Sequence, residues 1–239
     1  MCTFVKTFES LNEIFMKIKA IITGATGMVG EGVLYECLNN ENVEEILVVG
    51  RKPCGYSNPK LKEVLHSNFF DLSSIADMLK GYDTCFFCLG VSSLGMKEPE
   101  YTRLTYTLTI SFASTLATLN PGMTFCYISG AGTDGTEKGR SMWARVKGKT
   151  ENDLLKLPFK KVYNFRPAGI LTTLPVKPTM TYYKTYKYAS WIFHILKLVA
   201  PKYVTSLKDL ALAMIHASVS GYSKKVLEVA DIKYLAKKM

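Results

Sequence analysis

The sequence predicts a doubly wound α/β fold, in which helices cover both faces of a parallel β-sheet. Short apolar runs alternate with segments of helical periodicity along most of the 239 residues, which is typical of βαβ units. Several runs are apolar almost throughout, as expected for strands buried on both faces. Hydrophobic residues make up 48% of the chain and charged residues 21%, so one domain with a small appendage is expected.

The first half of the chain supplies four predicted strands and two predicted helices. Each strand is a short run rich in aliphatic, β-branched or aromatic residues, as in KIKAIIT, EEILVVG, LKEVLHS and TCFFCLG. Each helix has apolar residues three and four positions apart, as in MVGEGVLYECLN and SSIADMLKG. The predicted strands are 17–23, 44–50, 61–67 and 84–90, and the predicted helices are 28–39 and 73–81.

The chain after residue 90 continues the alternation of strands and helices and then interrupts it. Residues 170–205 contain three prolines, and five closely spaced aromatic residues lie between Tyr182 and Trp191, at the place where such folds carry a substrate cap. Ser206 then begins a helix, because Ser-x-x-Asp is typical of a helix N-terminus. The predicted strands are 123–129, 160–166 and 226–230, and the predicted helices are 98–119, 142–155, one from Ser206 and a short final one.

Three glycines, Gly24, Gly27 and Gly30, follow the first strand and open the first helix. Glycines let the chain turn tightly and let backbone N–H groups approach a pyrophosphate, to which the helix N-terminus adds a favourable dipole. The spacing is GxxGxxG rather than GxGxxG, but its position between strand and helix predicts a dinucleotide site in a Rossmann-like fold. The resulting division is an N-terminal extension (1–16), a Rossmann domain (17–170) and a substrate-cap part of the same domain (171–239).

The end of the second predicted strand indicates which dinucleotide binds. NAD sites carry Asp or Glu about 20 residues after the glycines to bind the ribose 2′-hydroxyl. This chain has no acid there and reads Val49-Gly50-Arg51-Lys52. A carboxylate would repel a 2′-phosphate, whereas Arg51 and Lys52 would pair with it. The sequence therefore predicts NADP(H) as the preferred cofactor, with NAD(H) as the alternative.

The charge distribution suggests that the second half of the chain faces an anion. The net charge is +10, with 10 basic and 14 acidic residues in 1–135 and 20 basic and 6 acidic residues in 136–239. Such asymmetry suits an anionic small-molecule substrate, a nucleic acid or a membrane surface. Lysine provides 25 of the 30 basic residues, whereas base-edge recognition favours arginine. Specific nucleic-acid recognition is therefore not expected.

Other features argue against several classes of protein. The apolar stretch Ala189–Ala200 is too short for a bilayer, which takes about 20 residues, and the N-terminus lacks the apolar run of a signal peptide. The six cysteines show no disulfide or zinc spacing, and Cys85-Phe-Phe-Cys88 lies inside a predicted strand. The three histidines are scattered, so no metal site is expected. These observations predict a cytoplasmic protein without a membrane span.

The motifs taken together resemble a known family. GATGMVG, ILVVGR, CFFCLG, YISGAG, RVKGKTE and FRPAGI follow one another between about residues 17 and 235. In this order they are similar to atypical members of the short-chain dehydrogenase/reductase superfamily, in the NAD(P)-binding epimerase/dehydratase-like branch near the Tat-interacting oxidoreductase-like group. The C-terminal third resembles that group much less. The resemblance implies an oxidoreductase or epimerase-like enzyme for a small carbonyl or hydroxyl compound, and a homodimer as in many relatives.

The resemblance also implies a role for each residue that matches a family motif. Ser129 would bind the reacting oxygen, and Lys147 would hold the nicotinamide ribose. The implied cofactor contacts are the pyrophosphate with Thr26, Gly27, Met28 and Val29, the 2′-phosphate with Arg51, the adenine with Asp71 and Leu72, the adenosine ribose with Leu89 and Gly90, and the nicotinamide with Pro167, Gly169 and Ile170.

One position departs from the family's YxxxK pattern. The residue four before Lys147 is Trp143, and an indole N–H does not exchange the proton that a tyrosine hydroxyl would. Three hypotheses stay open: another tyrosine supplies the proton, Lys147 does so itself, or the protein binds NADP(H) without turnover as a sensor or regulatory protein. The candidate tyrosines are Tyr127 in the fifth predicted strand and Tyr182, Tyr183, Tyr186 and Tyr188 in the cap, of which Tyr182 and Tyr186 are the candidate substrate contacts.

Overall fold

The computed structural model describes residues 17–172 and 204–238, in which strands and helices alternate as the sequence predicts. The strands are β1 (Ile18–Thr23), β2 (Val43–Gly50), β3 (Leu61–Leu65), β4 (Thr84–Phe87), β5 (Thr124–Ile128), β6 (Lys161–Arg166), β7 (Gly169–Leu171), β8 (Val204–Ser206) and β9 (Val226–Glu228). The helices are α1 (Met28–Asn39), α2 (Glu98–Thr102), α3 (Leu108–Leu119), α4 (Met142–Leu154), α5 (Leu207–Val219) and α6 (Val229–Ala236), with a 3₁₀ helix over Ser73–Leu79 and a π-helical turn over Arg103–Thr107.

Among the described residues, seven strands form one parallel sheet in the order β3-β2-β1-β4-β5-β6-β9, and β7 pairs with β8 separately. Ile22 of β1 is opposite Val48 of β2 on one side and opposite Phe86 of β4 on the other. After β1 the chain forms β2 and β3 on one side of that strand, and it then crosses over to form β4 on the other side of β1. This reversal opens a crevice at the carboxyl ends of β1 and β4, where doubly wound folds bind ligands. The predicted fold class is confirmed.

Two hydrophobic cores cover the sheet, one on each face. On one face α1, α5 and α6 bury side chains such as Leu34, Met214 and Ile232. On the other face the 3₁₀ helix, α3 and α4 bury side chains that include Phe112 and Leu154. The central strands supply alternate residues to the two cores, which explains their almost continuous apolar sequence. The sheet is therefore packed on both sides, and its carboxyl edge is left to carry a site.

Several predicted elements differ from the structure in detail, among them the predicted strand 61–67, which ends at Leu65, and the predicted helix 73–81, which is a 3₁₀ helix over Ser73–Leu79. β4 ends at Phe87 rather than at residue 90, which places the next residues in the crevice. The predicted helix over 98–119 is interrupted by the π-helical turn. The predicted strand 226–230 ends at Glu228, because the side chains of Glu228 and Asp231 form a capping box that starts α6.

The described C-terminal residues pack against the sheet and extend it by one strand. α5 packs closely on α1, where a Cβ at Gly32 would lie 2.3 Å from the side chain of Leu207. β9 joins the sheet beside β6. Of the predicted cap region 171–239, residues 204–238 thus pack with the sheet and with α1.

Two predicted segments lie outside the described residues. They are the N-terminal extension 1–16 and residues 173–203, which include the candidate substrate contacts Tyr182 and Tyr186. In the parts of the chain that the structure does describe, each helix is too short or too polar to cross a membrane.

The start of α5 gives a first testable prediction. Ser206 precedes the helix, and its Oγ accepts a hydrogen bond from the Asp209 N–H at 2.9 Å. Ser206→Ala is expected to lower the free energy of unfolding by about 1 kcal/mol, because it leaves a helix N–H without that acceptor. Urea unfolding followed by circular dichroism measures the change. Ser220→Ala, at the exposed far end of the same helix, is the control, and an equal loss in both variants would contradict the prediction.

Candidate functional site

The turn after β1 joins strand and helix through a close backbone contact. Gly24 has a φ of +70°, a conformation that favours glycine. The Gly27 N–H donates to the Gly24 carbonyl at 2.9 Å, and a Cβ at Gly30 would lie only 2.2 Å from that carbonyl oxygen. Helix α1 therefore starts directly behind the turn, and its N-terminus lies at the carboxyl edge of the sheet.

The same turn also meets the chain that follows β4. A Cβ at Gly24 would lie 2.8 Å from the Cys88 carbonyl oxygen, and the Cys88 N–H donates to Thr23 Oγ1 at 3.2 Å. The backbones that follow β1 and β4 thus approach each other with no room for a side chain between them. Leu89 and Gly90 come next and line the crevice.

A cavity of about 640 Å³ lies over this edge of the sheet, within the usual size of a cofactor site. The predicted cofactor residues in its wall are Gly24, Thr26, Gly27, Arg51, Lys52, Leu89 and Gly90. Further wall residues, which the sequence analysis missed, are Ala25, Val48, Gly50, Pro53, Phe69 and Cys88. Each of these adjoins a predicted residue or lies within three positions of one, so extending each motif by a few residues would have found them.

The residues present fit a dinucleotide cofactor. The turn has no space for a side chain at Gly24 or Gly30, and Thr26 and Gly27 are exposed at its tip. The backbone N–H groups at the start of α1 would hold a pyrophosphate there. Of the other predicted contacts, Met28 and Val29 form the first turn of α1 and are half-buried.

Arg51 and Lys52 stand at the end of β2 as exposed cations in the cavity wall. Neither takes part in an ion pair with the described residues. The loop that follows them is anchored at two points. The Cys54 N–H donates to Glu63 Oε1 at 2.6 Å, and the Tyr56 hydroxyl donates to Glu31 Oε1 at 3.3 Å. Both cations are thus available to an anion on a loop that is held in place.

Asp71 and Leu72 are not among the residues that line the cavity, and their contact with the adenine stays a prediction. The Leu72 side chain is buried in the core under the 3₁₀ helix. The Asp71 carboxylate accepts a hydrogen bond from the Ser73 N–H at 2.9 Å, and this bond lowers the pKa of Asp71. The Asp71 carboxylate thus holds the first turn of the 3₁₀ helix, and the Leu72 side chain packs in the core beneath it. Phe69 forms the cavity wall on this side.

Ser129 follows β5 and is buried, with 5% of its surface exposed. Its Oγ is 2.7 Å from Thr133 Oγ1, and the Thr133 hydroxyl donates to the Gly130 carbonyl at 2.7 Å. A hydroxyl has one proton to donate, so the Ser129 hydroxyl is the donor to Thr133. In this arrangement the Ser129 oxygen can accept a hydrogen bond, and the hydroxyl would have to rotate before it could donate to any group other than Thr133.

Lys147 on α4 reaches the chain at Ser129. Its Nζ donates to the Ser129 carbonyl oxygen at 2.5 Å. Burial lowers the pKa of Lys147 to about 8, against the attraction of Glu151, which raises it. The structure therefore brings Ser129 and Lys147 together, and Lys147 can change its protonation state close to neutral pH.

Trp143 lies one helical turn before Lys147 on the same face of α4. Its indole ring approaches Gly132, where a Cβ would lie 3.5 Å from the ring, in the loop that follows Ser129. Tyr127 does not replace the missing tyrosine, because its side chain is 1% exposed in the core and burial raises its pKa. The hypothesis that Tyr127 supplies the proton is therefore not supported by its position.

The predicted nicotinamide segment runs beside the Ser129 loop. The Ser129 N–H donates to the Phe165 carbonyl at 2.8 Å, and the Ala131 N–H donates to the Pro167 carbonyl at 2.9 Å. These bonds continue the contact between β5 and β6 beyond the sheet. Gly169 and Ile170 then enter β7 and pair with β8. Pro167 thus lies beside the loop that begins at Ser129, and Gly169 and Ile170 lead away from it into the β7–β8 pair.

Other reactive groups in the described residues lack a suitable environment. Burial raises the pKa of the Cys85 and Cys88 thiols, so neither is a reactive thiolate. Within residues 17–172 and 204–238, no cluster of three or more His, Cys, Asp or Glu side chains is placed to hold a metal ion.

Comparison with known proteins gives relatives of related sequence and fold. Protein FMP52-2, mitochondrial, of Scheffersomyces stipitis is 30% identical over 160 residues, which cover 65% of this chain and 67% of that protein. Protein HTATIP2 of Rattus norvegicus is 26% identical over 170 residues, 70% of this chain and 69% of that protein. No family model matches the chain.

Among solved structures, DesIV (dTDP-glucose 4,6-dehydratase) from Streptomyces venezuelae, with NAD and TYD bound, has the same fold. Its TM-score is 0.65 at 12% identity, and the match covers 92% of this chain and 80% of that one.

Proposed function

The chain belongs to the short-chain dehydrogenase/reductase-like family of HTATIP2 and the FMP52 proteins, and on that premise we propose that it is an NADP(H)-dependent oxidoreductase or epimerase-like enzyme for a small carbonyl or hydroxyl compound. One observation carries the proposal. The turn from Gly24 to Gly27, directly before α1, lines one cavity together with Arg51 and Lys52, at the point where the strand order reverses, and neither cation has an ion-pair partner among the described residues. This arrangement suits a dinucleotide that bears a 2′-phosphate.

Different residues of the chain would bind the cofactor and contact the substrate. Gly24 to Gly30 would hold the pyrophosphate, and Arg51 with Lys52 would hold the 2′-phosphate. Ser129, once rotated, would donate to the substrate oxygen, while Lys147 places a cation beside it. The cofactor, when bound, supplies or accepts the hydride.

Fluorescence titration tests the proposal. The purified protein is titrated with NADPH and NADH, and NADPH oxidation is then followed with a panel of aldehydes, ketones and anionic keto acids. Tighter binding of NADPH than of NADH, with turnover of at least one carbonyl compound, supports the enzyme. Absence of binding to either dinucleotide would contradict it.

A second function is favoured by Trp143. With an indole in place of the tyrosine, the protein would be a non-catalytic NADP(H)-binding sensor or regulatory protein. Its basic second half would then serve as a docking surface for an acidic partner. Tight NADPH binding without turnover of the panel, together with partner capture that differs between NADPH and NADP⁺, would favour this function.

The basic second half also bears on substrate and partners. We propose an anionic substrate, a homodimer and a cytoplasmic location. A relative whose name includes "mitochondrial" makes the mitochondrion the alternative compartment. Imaging of a tagged full-length chain and light scattering of the purified protein test the location and the dimer.

Restoring the family's tyrosine gives another testable prediction. Trp143→Tyr is expected to raise the rate of carbonyl reduction above that of the wild type, because it adds a hydroxyl that can exchange a proton at the position where the family carries its tyrosine, in addition to any proton that Lys147 exchanges. Trp143→Phe, which has a ring and no hydroxyl, is the matched control. NADPH oxidation in the two variants is the measurement. A Tyr variant that binds NADPH but reduces substrate no faster than the Phe variant would contradict the prediction.

A further inference from the structure

We propose that Lys147 itself exchanges the proton with the substrate oxygen, and that Arg166 makes this possible by binding both oxygens of the Glu151 carboxylate. The inference rests on the proposed oxidoreductase function and names the group that replaces the family's tyrosine. Lys147 would be a catalytic residue, whereas Arg166 would be a positioning residue that acts through Glu151.

The side chains placed around Ser129 leave Lys147 as the candidate proton donor among the described residues. The Trp143 indole does not exchange a proton near neutral pH. Tyr127 is buried in the core, and burial raises the pKa of its hydroxyl. The Ser129 hydroxyl donates to Thr133. The Lys147 ammonium has three N–H donors, of which the Ser129 carbonyl takes one.

Glu151 lies four residues after Lys147, and residues at this spacing are neighbours on a helix surface. Its carboxylate is nevertheless bound by Arg166, the last residue of β6. Arg166 Nε is 2.9 Å from Glu151 Oε1, and Arg166 Nη2 is 2.5 Å from Oε2. Glu151 is 2% exposed, so water does not compete for the carboxylate. In the described residues the ion pair of Glu151 is with Arg166 and not with Lys147.

The two possible partners of Glu151 have opposite consequences for Lys147. A carboxylate paired with Lys147 would stabilise the ammonium and hold its proton. A carboxylate neutralised by the fork of Arg166 leaves burial as the larger influence on Lys147, and its pKa falls to about 8. A group with a pKa near the working pH is the most effective general acid or base. Arg166 thereby keeps Lys147 able to release and regain a proton.

Groups on the neighbouring elements do not add a competing charge. Tyr127 of β5 and Tyr101 of α2 are buried, and burial raises the pKa of both hydroxyls, so they stay neutral. Among the described charged groups near α4, Lys149 pairs with Asp153, Arg145 with Glu98, and Arg166 also with Glu228, while the neutral Tyr106 hydroxyl donates to Asp153.

The proton step balances without another group. In reduction, an Nζ–H bond of the Lys147 ammonium would break as an O–H bond forms on the substrate oxygen, and the carbon would receive the hydride that a bound NADPH supplies. Lys147 is left as a neutral amine and regains a proton from solvent. In oxidation the amine accepts the hydroxyl proton instead.

Pulse acetylation tests the charge state of Lys147 without cofactor or substrate. The full chain is treated briefly with acetic anhydride between pH 6 and 11, and the acetylation of each lysine is measured by mass spectrometry. The midpoint for Lys147 is expected near pH 8. Lys149 on the same helix is the internal control, because its bond to Asp153 raises its pKa above the usual lysine range. A Lys147 midpoint within the usual lysine range would overturn the inference.

Two variants are expected to move that midpoint in opposite directions. Arg166→Gln releases the Glu151 carboxylate to Lys147 and is expected to raise the midpoint by about one pH unit or more. Glu151→Gln removes the attraction and is expected to lower it. Glu98→Gln, which breaks another Arg–Glu pair of α4, is the matched control. If Glu151→Gln leaves the acetylation midpoint of Lys147 unchanged, the Arg166–Glu151 pair does not control the charge state of Lys147. This result would overturn the role of Arg166 even where Arg166→Gln does not fold.

A turnover assay separates proton transfer from simple charge. Lys147→Arg keeps the positive charge, but arginine does not release its proton. We expect this variant to bind NADPH and to reduce substrate at least about 100-fold more slowly. Retained turnover would overturn the inference. Failure of the proposed function looks different: the wild-type chain would show no turnover while the acetylation midpoint of Lys147 stays near pH 8.

Discussion

Gly30→Ala is expected to abolish NADPH binding and to lower the free energy of unfolding by about 3 kcal/mol. The added Cβ would lie 2.2 Å from the Gly24 carbonyl oxygen and 2.9 Å from the Ala25 nitrogen. Both neighbours are backbone atoms, so the turn itself has to move. Displacing the turn removes the N–H groups that would hold the pyrophosphate. The variant therefore tests the cofactor site and the strand-to-helix junction together.

Two other glycines separate binding from stability. Gly32→Ala in the same helix would meet the side chain of Leu207 at 2.3 Å, so it is expected to destabilise the fold and keep NADPH binding at low temperature. Gly122→Ala has open space around its Cβ and is expected to change neither. Urea unfolding and NADPH fluorescence are measured on all three variants. NADPH binding by a folded Gly30→Ala protein would contradict the proposed site.

Arg51→Ala is expected to weaken NADPH binding by about 10- to 100-fold and NADH binding by much less. A hydrogen bond to a charged group contributes about 1.5–3 kcal/mol, which corresponds to that range in Kd. NADH has no 2′-phosphate for Arg51 to bind, so the effect should be specific to NADPH. Arg51 has no ion-pair partner in the described residues, and its removal is not expected to destabilise the fold.

The matched control is a lysine at the other edge of the sheet. Lys160 is exposed directly before β6, at the amino ends of the parallel strands. Lys160→Ala changes the net charge as Arg51→Ala does and is expected to leave both dissociation constants unchanged. Fluorescence titration of the two variants with NADPH and NADH measures the difference. An equal loss of NADPH and NADH affinity in Arg51→Ala would contradict the assignment of Arg51 to the 2′-phosphate.

The fold class could be predicted from the sequence, and so could the edge of the sheet at which the residues of the proposed nucleotide site lie. Apolar runs of strand length alternate with helical periodicity, and this local pattern requires no knowledge of distant contacts. Gly24 and Gly30 show where the first strand turns into the first helix, and Arg51 marks the end of the next strand. In a parallel sheet the carboxyl ends of the strands share one edge, so these residues could be placed together from their order alone.

The positions of Leu72 and of the Glu151–Arg166 pair could not be predicted from the sequence and are known from the tertiary structure. Leu72 follows the same kind of strand as Arg51, but it is buried in the core because the 3₁₀ helix packs over it. The pairing of Glu151 with Arg166 joins a helix to the last residue of β6. Helical spacing alone would have paired Glu151 with Lys147. Burial and ion pairing depend on which surfaces meet across the sheet, and local sequence patterns do not contain that information.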